Sequence, residues 1–469
     1  MSEFSVAADF RIADDANLTD AIVGNAAERP DRVIFDRKVD GAWQPVTAKQ
    51  FAEEVKALAA GLIASGIEAG ERVCIMSSTR YEWTLIDYAI WTTGAVPVPI
   101  YETSSSEQVE WIVSDSGAVG IFLETDNHRK GYDEVSASLD KVRNIWSIED
   151  GSIDELLAAG KGVSEDDIEQ RRRTLTPQSL ATIIYTSGTT GRPKGCELTH
   201  HNFLFDATST TEGLEEMFGD DQSTLLFLPL AHVFARIIQV GCVQTGVRMG
   251  HTSDIKNLLP DLAVFKPTFV LSVPRVFEKV YNTAKQRAHA DGKGAIFDLA
   301  ENVAIKYSES LDGGLLKRAA YELPHRIFDP LVYAKLRAAL GGHATGAISG
   351  GAPLGARLGH FFRGCGIPIY EGYGLTETTA GATVNRPGAM KVGSVGRPIP
   401  GCTVRIADDG EILLKGGNVF IGYYNNKKAT DEALETGGWF HTGDIGKLDD
   451  EGFLTITGRK KELIVTAGG

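Results

Sequence analysis

Cysteine is scarce in this 469-residue chain: the five residues Cys74, Cys196, Cys242, Cys365 and Cys402 lie far apart, with no CxxC pair. That spacing argues against a disulfide framework and a zinc site, and suits a reducing compartment. Basic charge is in deficit as well, with 47 Lys and Arg against 62 Asp and Glu and a net charge of −15. A chain this acidic repels nucleic acid and anionic lipid in bulk, so a general nucleic-acid role is not expected. Long apolar runs are missing too. No uncharged stretch reaches the ~18–20 residues of a membrane-spanning helix, and no basic amphipathic helix marks an anchor. The opening residues, MSEFSVAADFRIADDANLTD, carry neither the basic nor the apolar region of a secretory signal. The expectation is a cytoplasmic protein with no nucleic-acid partner and no transmembrane segment, any membrane contact being peripheral. There is no internal repeat and no low-complexity tract.

Glycine, in contrast, is abundant, at 52 of 469 residues, and hints at many tight backbone turns. The first half alternates strand-like and helix-like segments. Val33–Phe35 reads as a strand. Thr47 opens a capping-box pattern, T-A-K-Q, before Phe51, Val55, Leu58, Ala59, Leu62 and Ile63 at helical spacing, and Gly66 closes that helix. Arg72–Met76 (strand), Tyr81–Thr92 (helix), Val96–Ile100 (strand), Glu107–Ser114 (helix) and Val119–Leu123 (strand) continue the βαβ rhythm of a parallel sheet covered by helices. Glu149–Arg173 is loosely patterned and reads as a surface excursion, with Arg171–Arg173 as a solvated face. Beyond about Lys391 short strands and turn signals dominate: Thr403–Ile406, a D-D-G turn at Asp408–Gly410, Glu411–Lys415 and Phe453–Ile456. The expected fold is α/β: helix-covered, mostly parallel sheets over 1–390, then a small antiparallel, barrel-like β subdomain over 391–457.

The sharpest segment is Ala181–Gly195, ATIIYTSGTTGRPKG. An apolar strand runs into Thr186, Ser187, Gly188, Thr189, Thr190 and Gly191, followed by Lys194. Glycines let successive N–H groups converge on one anion without Cβ clashes. The hydroxyls add donors and the lysine adds positive charge. This is not a Walker A loop, which needs G-x-x-x-x-G-K-[ST]; here Pro193 precedes the lysine and no Ser or Thr follows it.

Thr186–Gly195 resembles the phosphate-loop signature of the adenylate-forming superfamily, the acyl-CoA synthetases and their relatives. Further likenesses follow in order: Leu228–Arg236 (LPLAHVFAR), Ser349–Leu354 (SGGAPL), Tyr370–Thr378 (YEGYGLTET), Gly438–Gly446 (GWFHTGDIG) and Gly458–Gly469 (GRKKELIVTAGG). The resemblance implies ATP, Mg2+ and coenzyme A as cofactors or co-substrates and a homodimer as the assembly. It implies that Thr186–Gly191 and Lys194 hold the β- and γ-phosphates, that Glu377 ligates Mg2+ and that Thr376 contacts the α-phosphate. Tyr373 would stack on adenine in a pocket shaped by Gly351, Ala352, Pro353, Glu371, Gly372 and Gly374. Asp444 would accept both ribose hydroxyls, with Arg459 nearby. His232, Val233, Phe234 and Gly350 would border the acyl site, and Lys194, Thr376, Glu377 and His232 would be the catalytic set. Taken singly, Asp444 reads as a turn cap, Glu377 as a solvated acid, Tyr373 as core packing and His232 as a satisfied core histidine; the ordered motif set favours the site roles. His200–His201 lacks carboxylates at ligand spacing and reads as a helix entry.

Val98–Ser105 (VPIYETSS) and Ser272–Val280 (SVPRVFEKV) resemble the long-chain fatty-acyl members. A fatty chain needs an apolar tunnel, at about 0.8 kcal/mol for each buried CH2. Phe227, Val233, Phe234, Ile237 and Ile238 could line it or be ordinary core, and Arg236 is placed at its mouth. The expected activity is conversion of a long-chain fatty acid to acyl-AMP and then acyl-CoA, with release of pyrophosphate and AMP. Alternatives are adenylation of another carboxylic acid, transfer to a carrier protein or reductase domain, and a non-catalytic nucleotide- or fatty-acid-binding module. Family members continue beyond the position of Lys461, the hinge residue of segment 458–469, into a C-terminal domain with a further catalytic lysine. The expectation is therefore an N-terminal domain that forms acyl-adenylate slowly and hardly forms thioester.

Overall fold

Arg72–Met76 lies inside a wholly parallel four-stranded sheet, with Val96–Ile100 on one side and Gly120–Leu123, then Asn144–Ser147, on the other. A computed structural model gives the fold over residues 2–186, 192–313 and 315–460. Every residue of Val96–Ile100 and Gly120–Leu123 is buried, which is why these strands read as unbroken apolar runs. Pro97 and Pro99 lack the N–H groups a further strand would need, and Val96–Ile100 is accordingly an edge of that sheet. The Thr182 hydroxyl donates to the Pro97 carbonyl (2.7 Å) and seats strand Leu180–Thr186 beside that edge.

Helix Ala48–Ala64 starts at a complete capping box. The Gln50 N–H donates to the Thr47 side chain (3.2 Å) and the Gln50 side chain accepts from the Thr47 N–H (2.9 Å). Phe51, Val55, Leu58, Ala59 and Leu62 bury its inner face. Gly66 adopts a φ of 81°, left-handed backbone that glycine takes without a Cβ penalty. Strand Val33–Val39 runs further than the sequence pattern suggests. Asp40 and Gly41, both at positive φ, turn it back into Ala42–Thr47 as a hairpin.

Two further sheets are mixed. Ser223–Leu226, Arg248–His251 and Val33–Val39 run parallel before Ala42–Thr47 joins antiparallel. Phe269–Ser272, Gly346–Ser349 and Ile369–Tyr373 run parallel, and Thr383–Val384 and Arg397–Pro398 add antiparallel strands. A smaller antiparallel sheet joins Leu180–Thr186, Lys194–Thr199 and Gly422–Tyr423. The last sheet is wholly antiparallel, in the order Glu3–Ser5, Thr403–Ile406, Glu411–Lys415, Phe440–Leu448, Leu454–Arg459. Its first strand comes from the far N-terminus, where no sequence pattern announces it.

Glu149–Arg173 is not a loose excursion. It holds helices Ser152–Ala159 and Glu165–Arg172. The arginine run is a solvated face only at Arg173, which is exposed: Arg172 is buried and donates to Asp20, Glu169 and Thr19, while Arg171 donates to the Ile67 carbonyl. Among the described residues no helix is long and apolar enough to cross a membrane, and all five cysteines are free and buried.

Candidate active site

A cavity of about 630 Å3 opens where three sheets converge. Its walls come from the Leu180–Thr186/Lys194–Thr199 hairpin, the loop after strand Ile369–Tyr373, helix Val233–Thr245 and strand Phe440–Leu448.

Thr186 and Lys194 are ladder partners at the turn end of the hairpin, so the glycine-rich loop is the connection between them. Ser187, Gly188, Thr189, Thr190 and Gly191, like Lys461, lie outside the described residues. The Lys194 ammonium rests 4.2 Å from the centroid of the Tyr423 ring. The Tyr423 hydroxyl donates to Glu377 (2.6 Å).

Glu377 and Thr376 sit in a tightly wound loop, Gly372–Gly381. A Cβ on Gly374 would fall 1.8 Å from the Ala380 carbonyl oxygen, so glycine is required for this close approach. Thr379 and Ala380 both hold positive φ, 56° and 93°, an uncommon conformation for residues with a side chain. Two residues from other elements hold the loop. Asn418, buried, donates to the carbonyls of Thr378 and Gly381, and its own carbonyl accepts from the Thr379 hydroxyl (2.7 Å). The Asp206 carboxyl accepts from the Gly381 N–H (2.8 Å) and the Thr210 hydroxyl (3.0 Å). Asp206 is fully buried with no cation beside it among the described residues, and burial pushes its pKa well above the usual carboxylate range.

At the start of the same loop the Tyr373 hydroxyl donates to Asp444 (2.6 Å), and Arg459 lies 3.1 Å from the other carboxylate oxygen. Asp444 and Arg459 are ladder partners, so the sheet register fixes this ion pair. Burial beside Asp444 drives the Tyr373 phenol well above its usual pKa. His232 caps helix Val233–Thr245, its Nδ1 accepting the Phe234 N–H (3.1 Å). That bond leaves Nε2 as the protonated nitrogen of the neutral ring, and desolvation holds the imidazole pKa below its ordinary value.

Val233, Phe234, Ile237 and Ile238 turn one face of the helix into the apolar wall, joined by Ile348, Ile399 and Leu214. Gly350 lets the Phe234 ring approach: an added Cβ would meet it at 3.2 Å. Gly351, Gly372, Gly374 and Thr376 also line the cavity. Ala352, Pro353 and Glu371 do not. Ala352 and Pro353 are exposed on their turn, and the buried Glu371 accepts the Leu354 N–H (2.9 Å), tying that turn to the strand. Phe227 packs in the core with Leu258, Leu262 and Phe277 rather than at the cavity. Arg236 does not stand at a mouth either. It lies on the helix face away from the cavity, fully buried, donating from two nitrogens to Asp87 (2.5 and 3.1 Å) and to Thr182 (2.7 Å). His200 and His201 begin helix His200–Gly213; His200 accepts the Leu18 N–H and burial lowers its pKa to about 3.

Among the described residues no three His, Cys, Asp or Glu side chains gather as a metal cage. Five carboxylates, Asp206, Glu377, Glu411, Glu432 and Asp444, line the cavity, and Glu377 is the one adjacent in sequence to the Thr376 hydroxyl. Glu377 with that hydroxyl fits Mg2+, which is commonly held by one or two carboxylates together with substrate phosphates.

Sequence reading missed Tyr423, Asn418 and Asp206. Tyr423 lies on a strand of two residues, too short for any pattern. Asp206 did leave a signal, an acid among the buried Phe203, Leu204 and Ala207 of one helix face.

Comparison with known proteins places this geometry. The chain is 52% identical, over 475 aligned residues, to the long-chain-fatty-acid–CoA ligase FadD15 of Mycobacterium bovis, covering 100% of this chain and 78% of that protein. It is 31% identical to human long-chain-fatty-acid–CoA ligase 1, covering 93% of this chain and 66% of that one. The inhibitor-bound N-terminal domain of FACL13 from Mycobacterium tuberculosis superposes with a TM-score of 0.72 at 24% identity, covering 94% of this chain and 99% of that domain. A family model described as AMP-binding enzyme matches residues 23–424. With that span matched and the relatives just given, the chain belongs to the AMP-binding enzyme family.

Proposed function

We propose that this cavity joins a long-chain fatty acid to AMP, using ATP and releasing pyrophosphate, and that coenzyme A then takes the acyl group as a thioester with loss of AMP. One observation carries the reading: a single cavity combines Lys194, Thr376 and Glu377, the Tyr373–Asp444–Arg459 group, and the apolar wall Val233–Ile238. The names of the relatives at 52% and 31% identity support the choice of acid and acceptor.

A carboxylate is a poor electrophile, and adenylation remedies this. A carboxylate oxygen attacks the α-phosphorus, the bond to the bridging oxygen of pyrophosphate breaks, and the acyl carbon gains AMP as its leaving group. The thiol then gives up its proton to solvent as its sulfur bonds to that carbon, and the AMP oxygen departs with the electron pair. The first step gathers negative charge on phosphates, so positioning and electrostatic neutralisation dominate it. In this reading Lys194 and the hairpin connection hold the β- and γ-phosphates, and the Thr376 hydroxyl meets the α-phosphate. Tyr373 and Gly351 flank adenine, and Asp444 accepts from the ribose hydroxyls. Glu377 and the phosphates would hold Mg2+, which supplies further neutralisation of charge when bound. The neutral His232 presents Nε2–H toward the carboxylate, and the wall Val233–Ile238 takes the alkyl chain. Five free, buried cysteines suit a reducing, cytoplasmic setting.

ATP–pyrophosphate exchange over carboxylic acids of increasing chain length tests this. Exchange should require the acid and should strengthen from acetate toward long chains. Exchange indifferent to the acid, or strongest with short or aromatic acids, would overturn the fatty-acid reading.

A further inference from the structure

We propose that Tyr423 is a positioning residue that keeps Lys194 and Glu377 apart and aims the Glu377 carboxylate at the metal–nucleotide. The proposal rests on the reading of Glu377 as the carboxylate that meets the cation. Lys194 and Glu377 wall the same cavity. Opposite charges in a cavity screened from bulk water attract strongly, and a direct ion pair would consume both groups. No such pair joins them among the described residues, because Tyr423 stands between. Its ring face receives the Lys194 ammonium at 4.2 Å, a cation–π contact, while its hydroxyl donates to Glu377 at 2.6 Å. Each charge is satisfied by a different part of one side chain, and neither neutralises the other.

The fold fixes this spacer from both sides. Tyr423 is the ladder partner of Cys196, two residues along the strand that Lys194 opens. Three residues before it, the Phe420 N–H donates to the Glu377 carbonyl (2.8 Å). The Phe420 ring meets the Tyr423 ring at 75° and 4.9 Å, and the Tyr423 N–H donates to the Thr430 hydroxyl (2.9 Å). Segment Phe420–Tyr423 therefore touches the element carrying the lysine and the loop carrying the carboxylate. The phenol holds Glu377 Oε1 and leaves Oε2 to a divalent cation, so the hydrogen bond persists and orients the carboxylate in the cation-bound state.

Calorimetric titration of ATP, once with Mg2+ and once with EDTA, tests the proposal without any turnover. The Tyr423→Phe variant keeps the ring and loses the donor. Its gain in ATP affinity on adding Mg2+ should shrink about tenfold, the loss expected for a hydrogen bond to a charged group, while its affinity in EDTA stays at the wild-type value. Tyr423→Leu should lose affinity in EDTA as well, because Lys194 then collapses onto Glu377. Tyr423→His restores a donor and should recover part of the Mg2+-dependent gain. Glu377→Gln separates the two ideas. If it retains the full gain, the reading of Glu377 fails. If it loses the gain while folded Tyr423→Phe keeps it whole, the Tyr423 proposal alone fails. Should Tyr423→Phe prove unfolded, the comparison passes to Tyr423→His against Tyr423→Leu, and equal Mg2+ dependence in those two overturns the proposal.

Discussion

Tyr373 and Asp444 meet in the cavity wall, the phenol donating to one carboxylate oxygen at 2.6 Å while Arg459 lies 3.1 Å from the other. Two lone pairs of that carboxylate are thus in use, and two remain for hydroxyls of a ligand. The consequence is an asymmetry between the partners. Asp444→Ala should raise the KM for ATP in pyrophosphate exchange by about tenfold or more, since each 1.4 kcal/mol of lost binding is a decade. The KM for the fatty acid should stay put. Tyr373→Phe keeps the ring and frees one Asp444 oxygen, so its KM for ATP should move by less than about threefold, below 1 kcal/mol. Equal losses in the two variants would contradict the assignment of the ribose to Asp444.

The Arg236–Asp87 pair has a structural role, which makes it a stability prediction. Both side chains are fully buried, and burial still lifts the Asp87 pKa to about 6 despite the arginine. Arg236→Met strands the carboxylate and should cost about 3–5 kcal/mol. Adding Asp87→Asn should return part of that loss, because the uncompensated charge is gone. Urea unfolding of the two single variants and the double variant measures this coupling. Additive single effects would show that the pair does not act as a unit.

Asp206 predicts a pH dependence. Its carboxyl has a pKa raised above the unfolded value of 3.8, so between those two values the folded state binds the extra proton. The resulting stability is fully present below about pH 3.8 and is lost as pH rises through the folded pKa. Asp206→Asn, a neutral isostere, removes that term. The variant should therefore gain on the wild type as pH rises from 5 to 8, by at most about 1.4 kcal/mol per pH unit. Urea midpoints of both proteins at several pH values follow the difference; parallel pH profiles would refute the idea.

Gly350 controls the space beside Phe234. An added methyl meets that ring at 3.2 Å, so the ring must give way toward the cavity. Gly350→Ala should raise the KM for long-chain acids by about three- to tenfold, roughly 0.7–1.4 kcal/mol, and leave the KM for ATP unchanged. A larger effect on ATP than on the acid would place the acyl chain elsewhere.

Much of this architecture is readable from local chemistry. The Thr47–Gln50 capping box, the strand limits at Arg72–Met76 and Val96–Ile100 and the Asp408–Gly410 turn all follow from short-range signals. What escapes is set by contacts distant in sequence. Arg172 reads as solvated until Asp20, 152 residues away, is seen to face it. Arg236 reads as a functional cation until the helix face it occupies is known, since the same helix puts Ile237 and Ile238 on the cavity. Helix Glu165–Arg172 buries only Ile168 and Arg172 and leaves no periodic pattern to read. Tyr423 belongs to the same class: its two-residue strand means nothing until it pairs with Lys194–Thr199. The Asp40–Gly41 hairpin, in contrast, carries a plain local turn signal that the sequence reading passed over.

The most direct measurement is a crystal structure of the chain with a non-hydrolysable acyl-adenylate mimic carrying a long alkyl chain and a sulfamate in place of the phosphate. Adenine should lie beside Tyr373 and Gly351, the ribose hydroxyls on Asp444, the sulfamate near Thr376, and the alkyl chain along Val233, Ile237 and Ile238. A mimic bound outside this cavity, or inside it with the alkyl chain against Asp444 and the adenine against Ile237, would contradict that arrangement.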